Sequence, residues 1–178
     1  MIELPKPGLY RTTQPYPSQE NELPAQSLVY VGVREEGSLP FVVRPAQNHR
    51  NEWFWSDPVY PLRSPTWGKS LVPLPPEGFY LLPEDFAPGE GVRWPRNAIV
   101  QLGFNQRGQG ILFLAERHVS GEHNVLAFSP RGVLINDTLL RRLVRAPVLL
   151  VQAPPENATP KAEAPAEGAP AATETEGG

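Results

Sequence analysis

The chain has 178 residues, room for one ordinary domain, and carries 16 Lys and Arg against 19 Asp and Glu with no cysteine. The missing cysteine excludes disulfides, thiolate metal sites and cysteine nucleophiles. One lysine and five glutamates after Ala153 account for the acidic balance and leave residues 1–152 with 15 cations and 14 anions, a near-neutral body that speaks against nucleic acid as a partner.

No apolar run reaches the ~20 residues a membrane span requires. The N-terminal stretch MIELPKPGLYRTTQPYPSQ lacks the apolar core of a secretion signal. These readings lead to the expectation of a cytoplasmic protein with no membrane partner.

Residues 1–25 read as an extended proline-rich arm. Pro5, Pro7, Pro15, Pro17 and Pro24 favour polyproline geometry, and Leu4, Leu9, Tyr10 and Tyr16 are sparse apolar anchors. Such an arm suits a strap laid over a neighbouring subunit. Residues 28–34 (LVYVGVR) and 39–44 (LPFVVR) flank the turn Glu35-Glu36-Gly37-Ser38 and predict a first hairpin. Pro40 and Pro45 mark its second strand as short or at an edge.

Nine of the sixteen aromatic residues lie between Trp53 and Trp94, with eight prolines threaded among them. Proline removes a backbone donor, so long helices and central strands are not expected across most of this segment. The aromatic rings nevertheless need something to pack against. EWFWS (52–56), SLVPL (70–74) and GFYLL (78–82) are short strand signals inside it.

Residues 98–104 and 110–116 form the best-defined hairpin, around the Asn- and Gly-bearing turn 105–109. NVLAFS (124–129) and GVLI (132–135) predict further strands. Asn136 or Asp137 can cap one helix with Leu139, Leu140, Leu143 and Val144 as its apolar stripe. Arg141, Arg142 and Arg145 then form its solvated side, Pro147 stops it, and residues 148–151 (VLLV) predict a closing strand.

About eight strands and one helix predict a mainly-β domain over residues 26–152: a small barrel or partly open sandwich of short antiparallel strands with long proline-rich loops. Residues 153–178 are expected to be a disordered Ala/Pro/Glu tail, since they hold no aliphatic side chain larger than alanine.

Chemistry is thinly represented. Glu116, His118, Glu122 and His123 are the one carboxylate–imidazole cluster, but their spacing matches no metal motif and reads as a solvated hairpin tip. No G-x-S-x-G elbow occurs, and the glycines at 103–110 lack the Lys-Ser/Thr of a phosphate loop and precede a strand. No cofactor and no catalytic set are expected.

The candidate binding residues are Arg50, Trp53, Trp55, Tyr60, Arg63 and Trp67, because tryptophan and arginine together are the usual anchors of protein interfaces. The competing account is that these tryptophans plug the domain's own core. The expected function is a non-catalytic structural or protein-interaction module in a larger assembly, with a protein partner or self-association. The alternative is a β barrel that stacks a sugar or single-stranded base on exposed tryptophans; a metal-dependent hydrolase ranks last.

Overall fold

The computed structural model describes residues 4–35, 37–49, 51–120 and 123–148, with residues 120, 123 and 124 described by backbone alone. The predicted tail, Arg50, Glu122 and the last three residues of the predicted strand 148–151 lie outside the described residues.

The first sheet begins where the arm was expected. Residues 8–12 form β1 (Gly8–Thr12), followed by β2 (Leu28–Gly32), β3 (Phe41–His49) and β4 (Glu52–Pro61). A one-turn helix, α1 (Pro65–Gly68), is capped by the Ser64 side chain and leads into β5 (Leu71–Pro73). The order is β4-β3-β2-β1-β5, antiparallel wherever neighbours pair.

β1 therefore sits inside the sheet, with Tyr10 opposite Val29 and also opposite Pro73. This corrects the expectation of a separate arm over residues 1–25. The five residues between Pro7 and Pro15 that alternate toward the core find their partners on two distant strands, which outweighs the proline bias around them. Thr12 is fully buried and its hydroxyl donates to Pro24 O (2.9 Å) while accepting from Ser27 N (2.9 Å). One compact unit accordingly spans Met1–Val148.

The second strand of that hairpin is longer than expected, Phe41–His49, but it pairs β2 only over Phe41–Val43. At Pro45 it has β4 alone beside it, with register shifts at Val42/Arg44 and Pro45/Gln47, so the proline does stand where the strand is an edge.

The second sheet is built from β6 (Gly78–Leu81), β9 (Ile99–Phe104), β10 (Gly110–Ser120), β11 (His123–Phe128) and β13 (Val144–Arg145) in the order β11-β10-β9-β6-β13. β12 (Val133–Leu134) pairs alongside β10, and β7 (Phe86–Gly89) with β8 (Val92–Trp94) forms a separate two-stranded hairpin. The predicted 98–117 hairpin is present as β9–β10. In its turn the Asn105 side chain accepts from Arg107 N (2.9 Å) and Gln109 N (3.0 Å), and Gly108 takes φ +66°.

The helix α2 (Asp137–Arg142) is capped by Asn136, whose side chain accepts from Leu139 N at 2.9 Å. It ends at Arg142, well before Pro147, because Leu143 leaves the helical region at ψ 134° and Val144–Arg145 joins the sheet as its closing strand.

Among the described residues there are thirteen strands and two short helices, and neither sheet closes on itself, so the fold is a mainly-β, partly open sandwich. Between the sheets lies one core: Leu28, Tyr80, Val100, Leu102, Phe104 and Leu112, sealed by Trp94 and by Leu139 and Leu140 of α2. A second core lies on the far side of the first sheet, where Val29, Val31, Val42 and Tyr60 pack under Leu23, Leu62 and Trp67. Arg11 on β1 meets Asp137 of α2 through two bonds of 3.0 and 2.5 Å, tying the first sheet to the helix that seals the inner core.

Candidate interaction surface

The predicted binding residues divide among three environments. Alternation along β4 sends Trp53 and Trp55 toward the inner core and leaves Phe54 exposed on the other face. Trp53 is half-buried and donates from its indole nitrogen to Phe104 O (2.9 Å); Trp55 packs on Tyr30 with ring centroids 5.6 Å apart.

Tyr60 and Trp67 belong to the second core, with 1% and 3% of their surface exposed. Tyr16 joins them at centroid distances of 5.2 and 5.0 Å, and the Trp67 indole donates to Gln14 O. These two rings hold the N-terminal loop down and present nothing to a partner. Arg63 is exposed, and Arg50 lies outside the described residues. The structure thus does not bring the six residues to one place.

A larger apolar surface appears where the expected residues are not. Residues of even number on β6 and β9 point into the inner core, so Phe79, Leu81, Ile99 and Gln101 form the outward face of the second sheet. Register carries one row across five strands: Phe128 opposite Ala115, Leu81 opposite Ile99, and Val144 opposite Leu81, with Ala115 falling beside Ile99 because Leu114 faces Val100. Every residue in that row is apolar. In the adjoining row, Gln101 stands between Phe113 and Phe79.

Phe79 and Phe128 stack across the intervening strands, centroids 5.3 Å apart and planes 15° from parallel. Phe79, Ile99, Leu126, Leu134 and Val144 keep between 38% and 60% of their surface exposed. The β3–β4 turn covers one corner only, where Asn51 lies over Gly103 and donates to Gln101 Oε1 (3.2 Å). The signal for this face is in the sequence: GFYL and IVQLGF carry apolar residues on both parities, as strands with two apolar faces do.

Sheet edges differ as well. β4 contains Pro58 and Pro61, β5 ends at Pro73, and β13 is two residues long and soon followed by Pro147. Proline and short length blunt an edge against pairing with another chain. β11 is six residues, HNVLAF, with no proline and no full charge, and Val125 and Leu126 on it are exposed.

At the corner below Asn51, Asn48, Trp53, Phe113 and Arg107 line an open groove of about 460 Å³. Glu77 sits behind Phe104 at this corner: it accepts from Phe104 N (3.3 Å), and desolvation, with the nearby Glu52 charge adding a smaller push, raises its carboxyl to about 7. In the predicted acid–imidazole cluster, Glu116 and His118 are 3.4 Å apart on exposed β10, while Glu122 and the His123 side chain lie outside the described residues. No group of three metal-ligating side chains occurs among the described residues. No helix among them is long and apolar enough to cross a membrane. Comparison with protein-family models, with curated proteins and with solved structures finds no match to this chain.

Proposed function

We propose that the protein is a non-catalytic structural or protein-interaction module, a component or accessory of a larger assembly, and that its docking surface is the outward face of the second sheet. The observation that carries this reading is the uncharged row Phe128–Ala115–Ile99–Leu81–Val144, open to solvent on a folded sheet. Contiguous apolar surface of this kind marks interaction sites. The partner is a second copy of the chain, packed face to face.

Two features support self-association. The exposed parts of the large apolar side chains there amount to on the order of 500 Å², close to the apolar share of a standard interface of ~800 Å² per partner, and homodimer interfaces are the more apolar class. The row carries no charge, so two copies that meet along it bring no like charges together there; Arg117, opposite Leu126, marks the rim of the face. A cytoplasmic location belongs to the same reading.

Light scattering over a concentration series tests it, with Ile99→Lys and, as a distant control, Arg63→Glu. A dimer that Ile99→Lys converts to monomer and Arg63→Glu leaves intact supports the proposal. A monomer throughout, or a dimer indifferent to Ile99→Lys, overturns it.

The groove beside Trp53 and Phe113 supports a second reading, in which a sugar or base stacks there. Tryptophan fluorescence titrated with oligosaccharides and short single strands separates the two: quenching that Trp53→Phe removes favours the groove.

A further inference from the structure

At one end of the sandwich, the segment 24–27, β3 and the β9–β10 turn enclose a cleft of about 570 Å³. Arg44 and Arg107 both line it, and among the described residues no carboxylate does. Three arginines outside the cleft bond carboxylates, Arg11 to Asp137, Arg93 to Asp85 and Arg142 to Glu84; what sets Arg44 and Arg107 apart is that they share one concavity. Arg44 and Arg107 have no acidic partner among the described residues, in a body whose net charge is close to zero. Two like charges sharing one concavity repel unless an anion lies between them.

The cleft is built to hold its shape. One wall is pinned to β1 by four bonds with Thr12: Gln26 N to its carbonyl (2.8 Å), Ser27 N to its hydroxyl (2.9 Å), its hydroxyl to Pro24 O (2.9 Å), and Thr12 N to Ser27 O (3.0 Å). Gln26 is held there at φ +58°, which costs a non-glycine residue about 1 kcal/mol. The opposite wall is the Asn105 turn, and Leu28 N joins the two by donating to Gln106 O (2.8 Å).

Beneath that turn, a Cβ at Gly108 would meet the Arg11 side chain at 3.0 Å, so Arg11 supports the wall while its charge is spent on Asp137. Gln26, Gln106, Gln109 and Ser27 add amide and hydroxyl groups to the lining, and Asn105 already occupies the Gln109 carbonyl oxygen (2.9 Å), which leaves its amide as a donor.

We propose that this cleft is a binding site for a small polyol bearing one oxyanion, the chemistry of a sugar phosphate or sugar acid. Its volume fits a small-molecule site. Arg44 on β3 and Arg107 on the β9–β10 turn clamp the oxyanion, and the amides and Ser27 meet hydroxyls. Among the described residues no aromatic ring lines the cleft to stack a base, which disfavours a nucleotide. The site is separate from the docking face and stands whether or not that face dimerises.

The test is a titration of the full-length chain followed by NMR of side-chain amides and arginine Nε–H groups, with glucose 6-phosphate, glucuronate, glucose and inorganic phosphate as probes. Glucose 6-phosphate or glucuronate should shift the amides of Gln26, Gln106 and Gln109, the tighter of the two naming the oxyanion, while glucose gives no shift. Arg44→Gln and Arg107→Gln should each weaken binding about tenfold, and Arg63→Gln should not change it. Both cleft arginines are exposed, so these variants keep the fold. Three results each overturn the proposal: no saturable shift with either charged sugar, inorganic phosphate binding as tightly as both, or binding unchanged in both cleft variants.

Discussion

Val29, Val42 and Tyr60 on the first sheet lie beneath a roof of Leu23, Leu62 and Trp67, whereas Phe79, Ile99 and Val144 on the second sheet face outward with only a corner covered by Asn51. Both sheets offer apolar residues on both faces. The difference lies in the connections. The first sheet is flanked by the long stretches 13–27 and 62–70, which supply Tyr16, Leu23 and Trp67 to its outer side. The strands of the second sheet are joined by tight turns or by connections that return to the inner core through Trp94, Leu139 and Leu140. A sheet face is satisfied by whatever chain passes over it, and over the second sheet the described residues supply little.

The largest test of the comparison is removal of residues 1–25. Were these residues a strap, the deletion would leave a folded domain. Because β1 lies between β2 and β5, and Leu23 is fully buried in the roof, the shortened chain is expected to lose its cooperative thermal transition altogether. A shortened chain that still melts cooperatively near the parent temperature would refute the placement of β1.

Truncating one ring on each side sharpens the same contrast. Trp67→Ala empties part of the roofed core and should cost about 3–5 kcal/mol in urea unfolding. Ile99→Ala on the open face should cost the monomer less than about 1 kcal/mol. Equal losses would mean that the second face is covered in solution by a partner, and the Ile99→Ala loss would then grow with protein concentration.

The joint between the first sheet and α2 comes next in size. Hydrogen bonds from Arg11 hold the Asp137 carboxyl below its ordinary value of 3.8. The folded state thus favours the charged form, so the contribution is complete above pH 3.8 and is lost as pH falls through the depressed value. Arg11 is largely buried but Asp137 is nearly half exposed, which screens the pair. Asp137→Asn should therefore cost about 1–2 kcal/mol at neutral pH, and the gap should close in acid. Melting temperatures of the two proteins from pH 7 down to pH 3 check this.

Much of this architecture is legible in the sequence wherever pairing is local. The β9–β10 hairpin announces itself through two apolar runs around an Asn/Gly turn, and Asn136 marks the start of α2 by its capping chemistry. What is not legible depends on distant partners. Nothing near Gly8–Thr12 reveals Val31 or Leu71 as neighbours, and the flanking prolines point the other way. The bulges that let β3 run on through Pro45 alongside β4 leave no local mark either. For the binding residues, the alternation Trp53-Phe54-Trp55 shows two faces but not which one meets the core. Tyr60 and Trp67 become core only through Tyr16 and Leu23, some forty residues earlier.

The smallest expected effect sits at the corner where the β3–β4 turn reaches the open face. Glu77 accepts from Phe104 N while Trp53 donates to Phe104 O, so the backbone of one residue joins the carboxyl to the tryptophan. Desolvation raises the Glu77 carboxyl from 4.5 to about 7. The folded state then holds a proton that the unfolded chain has released, and stability falls as pH rises from about 4.5 through 7 and is level beyond. Glu77 is only partly buried, so solvent screening reduces the loss to about 1 kcal/mol. Glu77→Gln keeps an acceptor for Phe104 N and removes the titration. Its urea midpoint should therefore match the parent near pH 5 and exceed it near pH 8. A parent protein whose midpoint does not fall across that window would show that Glu77 is solvated, and that the corner beside the docking face is looser than its hydrogen bonds imply.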